Sequence, residues 1–99
     1  MKLFKIIISD KAETDIQNIT NHIIDVFGAR LTAKCYQDGL YATILRLPVL
    51  AGIRVFNPYV QAMFGAKARH ITYKKLSIIY ELRRNVIYVK RVIASSLIH

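Results

Sequence analysis

The residues from Ala68 to Ile93 constrain the fold more than any other stretch, because two runs rich in β-branched and aromatic residues stand there only two residues apart. Ser77 to Arg83 and Val86 to Ile93 read as strands, and Arg84 with Asn85 fits the two-residue loop of a β-hairpin. Such a loop sets a register. Arg83 then faces Val86, Leu82 faces Ile87, Tyr80 faces Val89 and Ile78 faces Arg91, which makes one face mostly apolar. The other face pairs Glu81 with Tyr88, Ile79 with Lys90 and Ser77 with Val92. Two readings fit that mixed face: a surface waiting for a partner, or long cationic side chains whose stems lie over apolar ground.

Upstream, Lys2 to Ile8 begins in alternation and ends in three isoleucines, the pattern of a strand covered on at least one face. Its apolar run stops at Ser9 and Asp10 without a small-residue cleavage site, so it reads as a strand and not as a signal peptide. Ser9 or Asp10 can cap a helix, with Glu13 close to capping-box spacing. Ala12, Ile16, Ile19, Ile23, Val26 and Phe27 recur at helical intervals up to Gly28, which stops the helix. A second helix runs from Ala29 to Leu47 with Leu31, Cys35, Leu40, Ile44 and Leu47 as its stripe and Tyr36 beside it, and Pro48 marks its end. Gly39 inside that helix costs roughly 1 kcal/mol against alanine, which suggests close approach of another element. Val49 to Gly65 reads as a loop with a short helical turn at Tyr59 to Phe64, where Phe56, Tyr59, Met63 and Phe64 either cover the core edge or form a dimer contact, the first being favoured. Arg69 to Tyr73 reads as a further strand, joined to the hairpin by Lys74 and Lys75. The order is β-α-α-β-β-β, an α+β fold in which an N-terminal strand and a helical hairpin pack on an antiparallel sheet.

The 99 residues make one domain, 1–99. The single Cys35 excludes an internal disulfide and a multi-cysteine metal site, which points to a reducing cytoplasm, and its place in a helix predicts a buried, inert thiol. No apolar run approaches the ~18 residues of a membrane span, so a soluble protein without a membrane partner is expected. A net charge of +9 beside 54% hydrophobic residues and a mean hydropathy of +0.28 is an unusual pairing. It indicates an unfilled interface for an acidic partner, either nucleic acid or acidic polypeptide.

The opening strand followed by Ser9 to Ile19, the Phe27, Gly28 and Ala29 corner, Ala33 to Tyr36, Leu47 and Pro48 with Gly52, then Arg69, Tyr80 and the closing Val89 to Ile93, resemble the RelE/ParE superfamily of toxins from type II toxin–antitoxin systems, the ParE branch in particular. That resemblance spans nearly the whole chain. It implies a toxin of a plasmid-stabilisation system, neutralised by a cognate antitoxin whose flexible acidic segment wraps it, with a homodimer inside the complex as a further option. ParE-like toxins resemble inhibitors of DNA gyrase, which need no catalytic residue. The RelE-like alternative is a ribosome-dependent mRNA endonuclease, and here it would use Arg69, His70 and Arg91. Against it, Ser77 stands where that branch carries an arginine before the third strand's apolar run, and the chain ends Ala94 to His99 without the expected basic residues. That ending also leaves open a degenerate, inactive toxin.

Nothing else in the sequence supplies chemistry. His22 lies on the polar side of the first helix, His70 alternates within a strand and His99 is the last residue, none with a carboxylate at ligand spacing, so no metal and no cofactor are expected. The six acidic residues are scattered and there is no phosphate-binding glycine loop. The candidate partner-binding residues are Arg69, Lys74, Lys75, Arg83, Tyr88, Lys90 and Arg91, interleaved with Tyr73 and Tyr80. A basic nucleic-acid-binding domain outside the toxin superfamily is the third reading.

Overall fold

Ser9 sets the geometry of the first third of the molecule. The computed structural model describes residues 5–50, 58–65 and 67–97. Strand β1 (Lys5–Ile8) runs straight into helix α1 (Asp10–Phe27), and the Ser9 hydroxyl serves both: it accepts from the Ala12 backbone N–H at 3.1 Å and donates to the Lys90 carbonyl at 2.7 Å. One side chain thus caps the helix and ties its start to the sheet. At the far end Gly28 adopts φ 60°, a conformation that suits glycine, and its N–H closes on the Ile24 carbonyl. Helix α2 (Arg30–Leu45) returns antiparallel. Arg46 makes a turn, and a short α3 (Leu47–Leu50) follows with Pro48 inside its first turn, so the proline does not stop the helical path as the sequence suggests.

The remaining elements are α4 (Pro58–Phe64), β2 (Ala68–Tyr73), β3 (Leu76–Arg83), β4 (Val86–Ala94) and a 3-10 turn (Ser95–Leu97). They build one four-stranded sheet in the order β1-β4-β3-β2, with β2, β3 and β4 antiparallel in succession and β1 parallel to β4. The turns at Lys74–Lys75 and Arg84–Asn85 each have two residues, and the first of each pair takes a positive φ, 53° at Lys74 and 54° at Arg84. The α+β architecture and the element order expected from the sequence are present. A short helix stands where a helical turn was expected at Tyr59 to Phe64, starting a residue early, and Val49 and Leu50, expected in the loop, complete α3. Lys2, Gly52, Phe56 and His99 lie outside the described residues.

The register of the β3–β4 hairpin departs from expectation halfway along. Arg83–Val86, Leu82–Ile87, Glu81–Tyr88 and Tyr80–Val89 pair as the loop requires, but Ile79 then faces Arg91, Ile78 faces Val92 and Ser77 faces Ile93. A bulge between Ile79 and Tyr80 in the pairing leaves Lys90 as the extra residue. Because the side-chain period is two, this slip moves Val92 onto the helix-covered face and takes Arg91 away from Ile78.

Helices α1 and α2 cover one face of the sheet. Ala12, Ile16, Leu40, Ile44 and Leu47 meet Leu76, Ile78, Tyr80, Ile87, Val89 and Val92 there, with Ile6, Ile8, Ile71 and Tyr73 at the margin. A smaller cluster on the other face holds Val60 of α4 against Ala68 and Ile79, flanked by Phe64 and Ile93. Covered on both sides, β3 is buried from Leu76 to Glu81. Ser77 sits inside with its hydroxyl 2.8 Å from that of Ser95, which explains a small side chain at that position. The residue that anchors α4 is Val60; Tyr59 and Met63 face solvent and do not cover the core edge.

The outer half of the helical hairpin overshoots this core. Val26, Phe27 and Leu31 are 58%, 71% and 76% exposed, and Cys35 is exposed where a buried thiol was expected. Only Ala33, Leu40 and Ile44 of α2 are buried, so the Leu31–Cys35 part of the expected stripe is a solvent-facing strip.

Candidate functional site

Three of the seven basic or aromatic candidates, Arg83, Tyr88 and Lys90, come together around Glu81 on the face of the sheet away from α1 and α2. Glu81 stands at the centre, 4% exposed. Its carboxylate takes the Lys90 ammonium at 2.8 Å and the Arg83 guanidinium at 2.5 Å. Lys90 also donates to the Phe64 carbonyl at 3.3 Å, joining α4 to β4. The Lys90 and Arg83 hydrogen bonds outweigh burial and hold the Glu81 pKa below the ordinary glutamate range. Arg83 in turn lies over the Tyr88 ring, 5.8 Å from its centroid. Ile7, Ser9, Tyr88 and these charges line a small depression of ≈ 180 Å³.

The bulge directs Arg91 elsewhere. Its Nε and Nη2 grip the two oxygens of Asp15 on α1 at 2.7 and 2.9 Å, and the same carboxylate accepts the Val92 backbone N–H at 3.0 Å. The Asp15 hydrogen bonds push the Arg91 pKa further up. Beyond the end of β1, then, the open edge of β4 is completed by side chains: Ser9 takes the Lys90 carbonyl and Asp15 takes the Val92 N–H. Arg91 is bound up in that arrangement, beside Lys11, Met63 and Phe64, in a second cleft of ≈ 530 Å³.

Arg69, Lys74 and Lys75 belong to neither depression. Arg69 is half-buried in β2 opposite Tyr80. The fully buried Tyr80 hydroxyl has no hydrogen-bond partner, and burial raises its pKa against the opposing pull of Arg69. His70, the next residue in β2, alternates to the other face opposite Ile79. Arg69, His70 and Arg91 therefore do not converge on one point. Lys74 lies over two rings, 5.1 Å from the centroid of Tyr36 and 5.8 Å from that of Tyr73, which meet edge to face at 5.4 Å.

Lys75 borders a different feature, an apolar groove of ≈ 470 Å³ lined by Ile19, His22, Ile23, Phe27, Tyr36 and Leu76. No carboxylate is among the described residues that line it. Sequence reading missed this groove because it assigned Ile19, Ile23 and Phe27 to the core; the signal was that the apolar stripe of α1 is longer than the sheet it covers. Among the described residues no group of three or more His, Cys, Asp and Glu could hold a metal, and no helix is long and apolar enough to cross a membrane.

A helical hairpin on one face of a four-stranded sheet, with β1 parallel to β4 and the last three strands antiparallel, defines the fold class. That fold is shared with a solved chain of the chromosomal ParDE toxin–antitoxin system from P. aeruginosa, at a TM-score of 0.78 over 95% of this chain and 98% of that one, with 16% sequence identity. No protein-family model matches the sequence, and no curated protein does.

Proposed function

We propose that this protein is the toxin of a type II toxin–antitoxin system of the ParE kind, acting in the cytoplasm by binding DNA gyrase and neutralised by a cognate antitoxin encoded beside it. The observation that carries the reading is the fold shared end to end with a chain of a ParDE system. Fold alone does not dictate activity, so the surface matters as much. A chain of net charge +9 that leaves Phe27, Leu31 and Val26 in solvent beside an apolar groove without acidic lining suits an amphipathic, acidic antitoxin segment. The basic and aromatic face around Arg83, Tyr88 and Lys90, with Arg69, Lys74, Lys75 and Arg91 elsewhere on the surface, supplies further contacts for protein partners, and plasmid stabilisation is the biological setting such a pair would serve.

The RelE-like alternative, cleavage of mRNA on the ribosome, has less support. Arg69 alternates to the opposite face of β2 from His70, Arg91 is chelated by Asp15, and Ser77 is enclosed. General acid–base chemistry needs groups within hydrogen-bonding reach of one substrate atom, and Arg69, His70 and Arg91 are not gathered in that way. Purified chain should inhibit supercoiling of plasmid DNA by gyrase while leaving mRNA on translating ribosomes intact. Cleavage of that mRNA with supercoiling unaffected would overturn the reading.

A further inference from the structure

The rim of the apolar groove does not hold a fixed charge. Its polar lining residues are Asn18 and His22 on α1 and Lys75 in the turn between β2 and β3, and Tyr36 enters from α2. Among the described lining residues, His22, Tyr36 and Lys75 can titrate. A lysine ammonium keeps its charge well above neutrality. Burial, and then the neighbouring Tyr73, push the Tyr36 pKa up, so that phenol stays neutral. There remains the imidazole, the side-chain type that ordinarily changes charge between about pH 5 and 8.

His22 is exposed, and its side chain forms no ion pair with another described residue. The charged groups around it are Lys75 from the β2–β3 turn, Lys74 beyond it with its ammonium 5.1 Å from the centroid of the Tyr36 ring, and Asp25 one helical turn further along α1. No carboxylate is among the described residues of the groove itself, so the carboxylates that meet Lys75 and His22 there come from whatever occupies it. Negative charge brought close to an imidazole favours its protonated form, and binding then draws in protons. Given the docking of an acidic antitoxin segment in this groove, on which this step rests, we propose that His22 makes that docking depend on pH, tightening it as pH falls through neutrality and loosening it as pH rises. Neutralisation of the toxin is thereby coupled to the acidity around it, through a residue that touches the partner and belongs to neither the core nor the basic face around Glu81.

The test is fluorescence anisotropy of a labelled amphipathic peptide, leucines at positions i, i+3, i+4 and i+7 and glutamates elsewhere, titrated with the full chain at about pH 6 and about pH 8, between which glutamates stay ionised. The parent chain should bind about twofold to fivefold more tightly at the lower pH, the range of a single exposed ion pair. His22→Gln should abolish the difference between the two pH values, and His22→Lys, with a charge that does not titrate in this range, should abolish it while binding more tightly than His22→Gln at both. A peptide with glutamines in place of the glutamates should show no difference. Equal binding at the two pH values by the parent overturns the proposal and leaves the acidic occupant of the groove standing, as does a difference that persists in His22→Gln or with the glutamine peptide. Absence of binding at either pH overturns the docking of an acidic segment together with its pH dependence.

Discussion

Gly39 shows how a single residue settles a packing question. A Cβ at that position would overlap the Tyr73 hydroxyl and stand 2.8 Å from its Cζ, so the ring of β2 packs directly against the backbone of α2. Alanine is the better helix former by about 1 kcal/mol, yet overpacking a filled site costs about 1–3 kcal/mol. Gly39→Ala is therefore expected to lower stability by about 1 kcal/mol in denaturant unfolding, and Tyr73→Phe in the same chain to recover part of it by removing the nearest atom. Tyr80 makes the opposite case. Its hydroxyl is buried without a hydrogen bond, so Tyr80→Phe removes an uncompensated desolvation cost and should raise stability by about 1 kcal/mol. The sequence marked Gly39 as a point of close approach, because a mid-helix glycine has a propensity cost that needs an offset. It could not reveal the Tyr80 hydroxyl, since a lone tyrosine on an apolar face carries no record of what its oxygen meets.

At the scale of elements, α1 and β4 are joined by side chains that finish what the backbone leaves open. Asp15 performs two tasks at once, pairing with Arg91 and accepting from the Val92 N–H. Asp15→Asn keeps an oxygen for Val92 and gives up the ion pair, whereas Asp15→Ala also strands a partly buried N–H, so the alanine variant should lose about 1–2 kcal/mol more than the asparagine one in urea unfolding. Glu81 gives the sheet a pH dependence of definite sign. Its folded-state pKa lies below its unfolded value, so its contribution is fully present above the unfolded value of about 4.3 and fades as pH falls through the lower, folded value. Thermal melts should therefore show Glu81→Gln least different from the parent at the acid end and most different near neutrality. Periodicity revealed these elements and the first half of the hairpin register, because a two-residue loop and a two-residue period leave no freedom. It failed at the bulge: an extra residue in one strand is stabilised by Ser9 and Asp15 from far along the chain, and Lys90 followed by Arg91 looks locally like unbroken alternation. The apolar stripes of α1 and α2 were similarly legible as stripes, but how much of each the short sheet could cover was not.

For the molecule as a whole, the question is what covers the hairpin where it extends past the sheet. Two copies of a chain with net charge +9 repel one another, and the apolar groove has Lys75 and His22 at its rim with no carboxylate among its described lining residues, so complementarity favours an acidic partner over a second copy. Burying Phe27 and its neighbours against such a partner removes apolar surface from water at about 25 cal/mol per Å². A ligand that binds only the folded chain raises its apparent stability by mass action, by about 2.7 kcal/mol at a hundredfold excess over Kd. Co-expression with the product of an adjacent acidic reading frame should thus raise both yield and melting temperature. Phe27→Glu separates this from core effects. Phe27 is 71% exposed, so its replacement should change the stability of the free chain by no more than about 0.5 kcal/mol, while a buried carboxylate facing the partner's own acidic residues should weaken the complex by tenfold or more, as read by calorimetric titration. An unchanged affinity in Phe27→Glu would move the acidic partner off this groove and onto the basic face around Glu81.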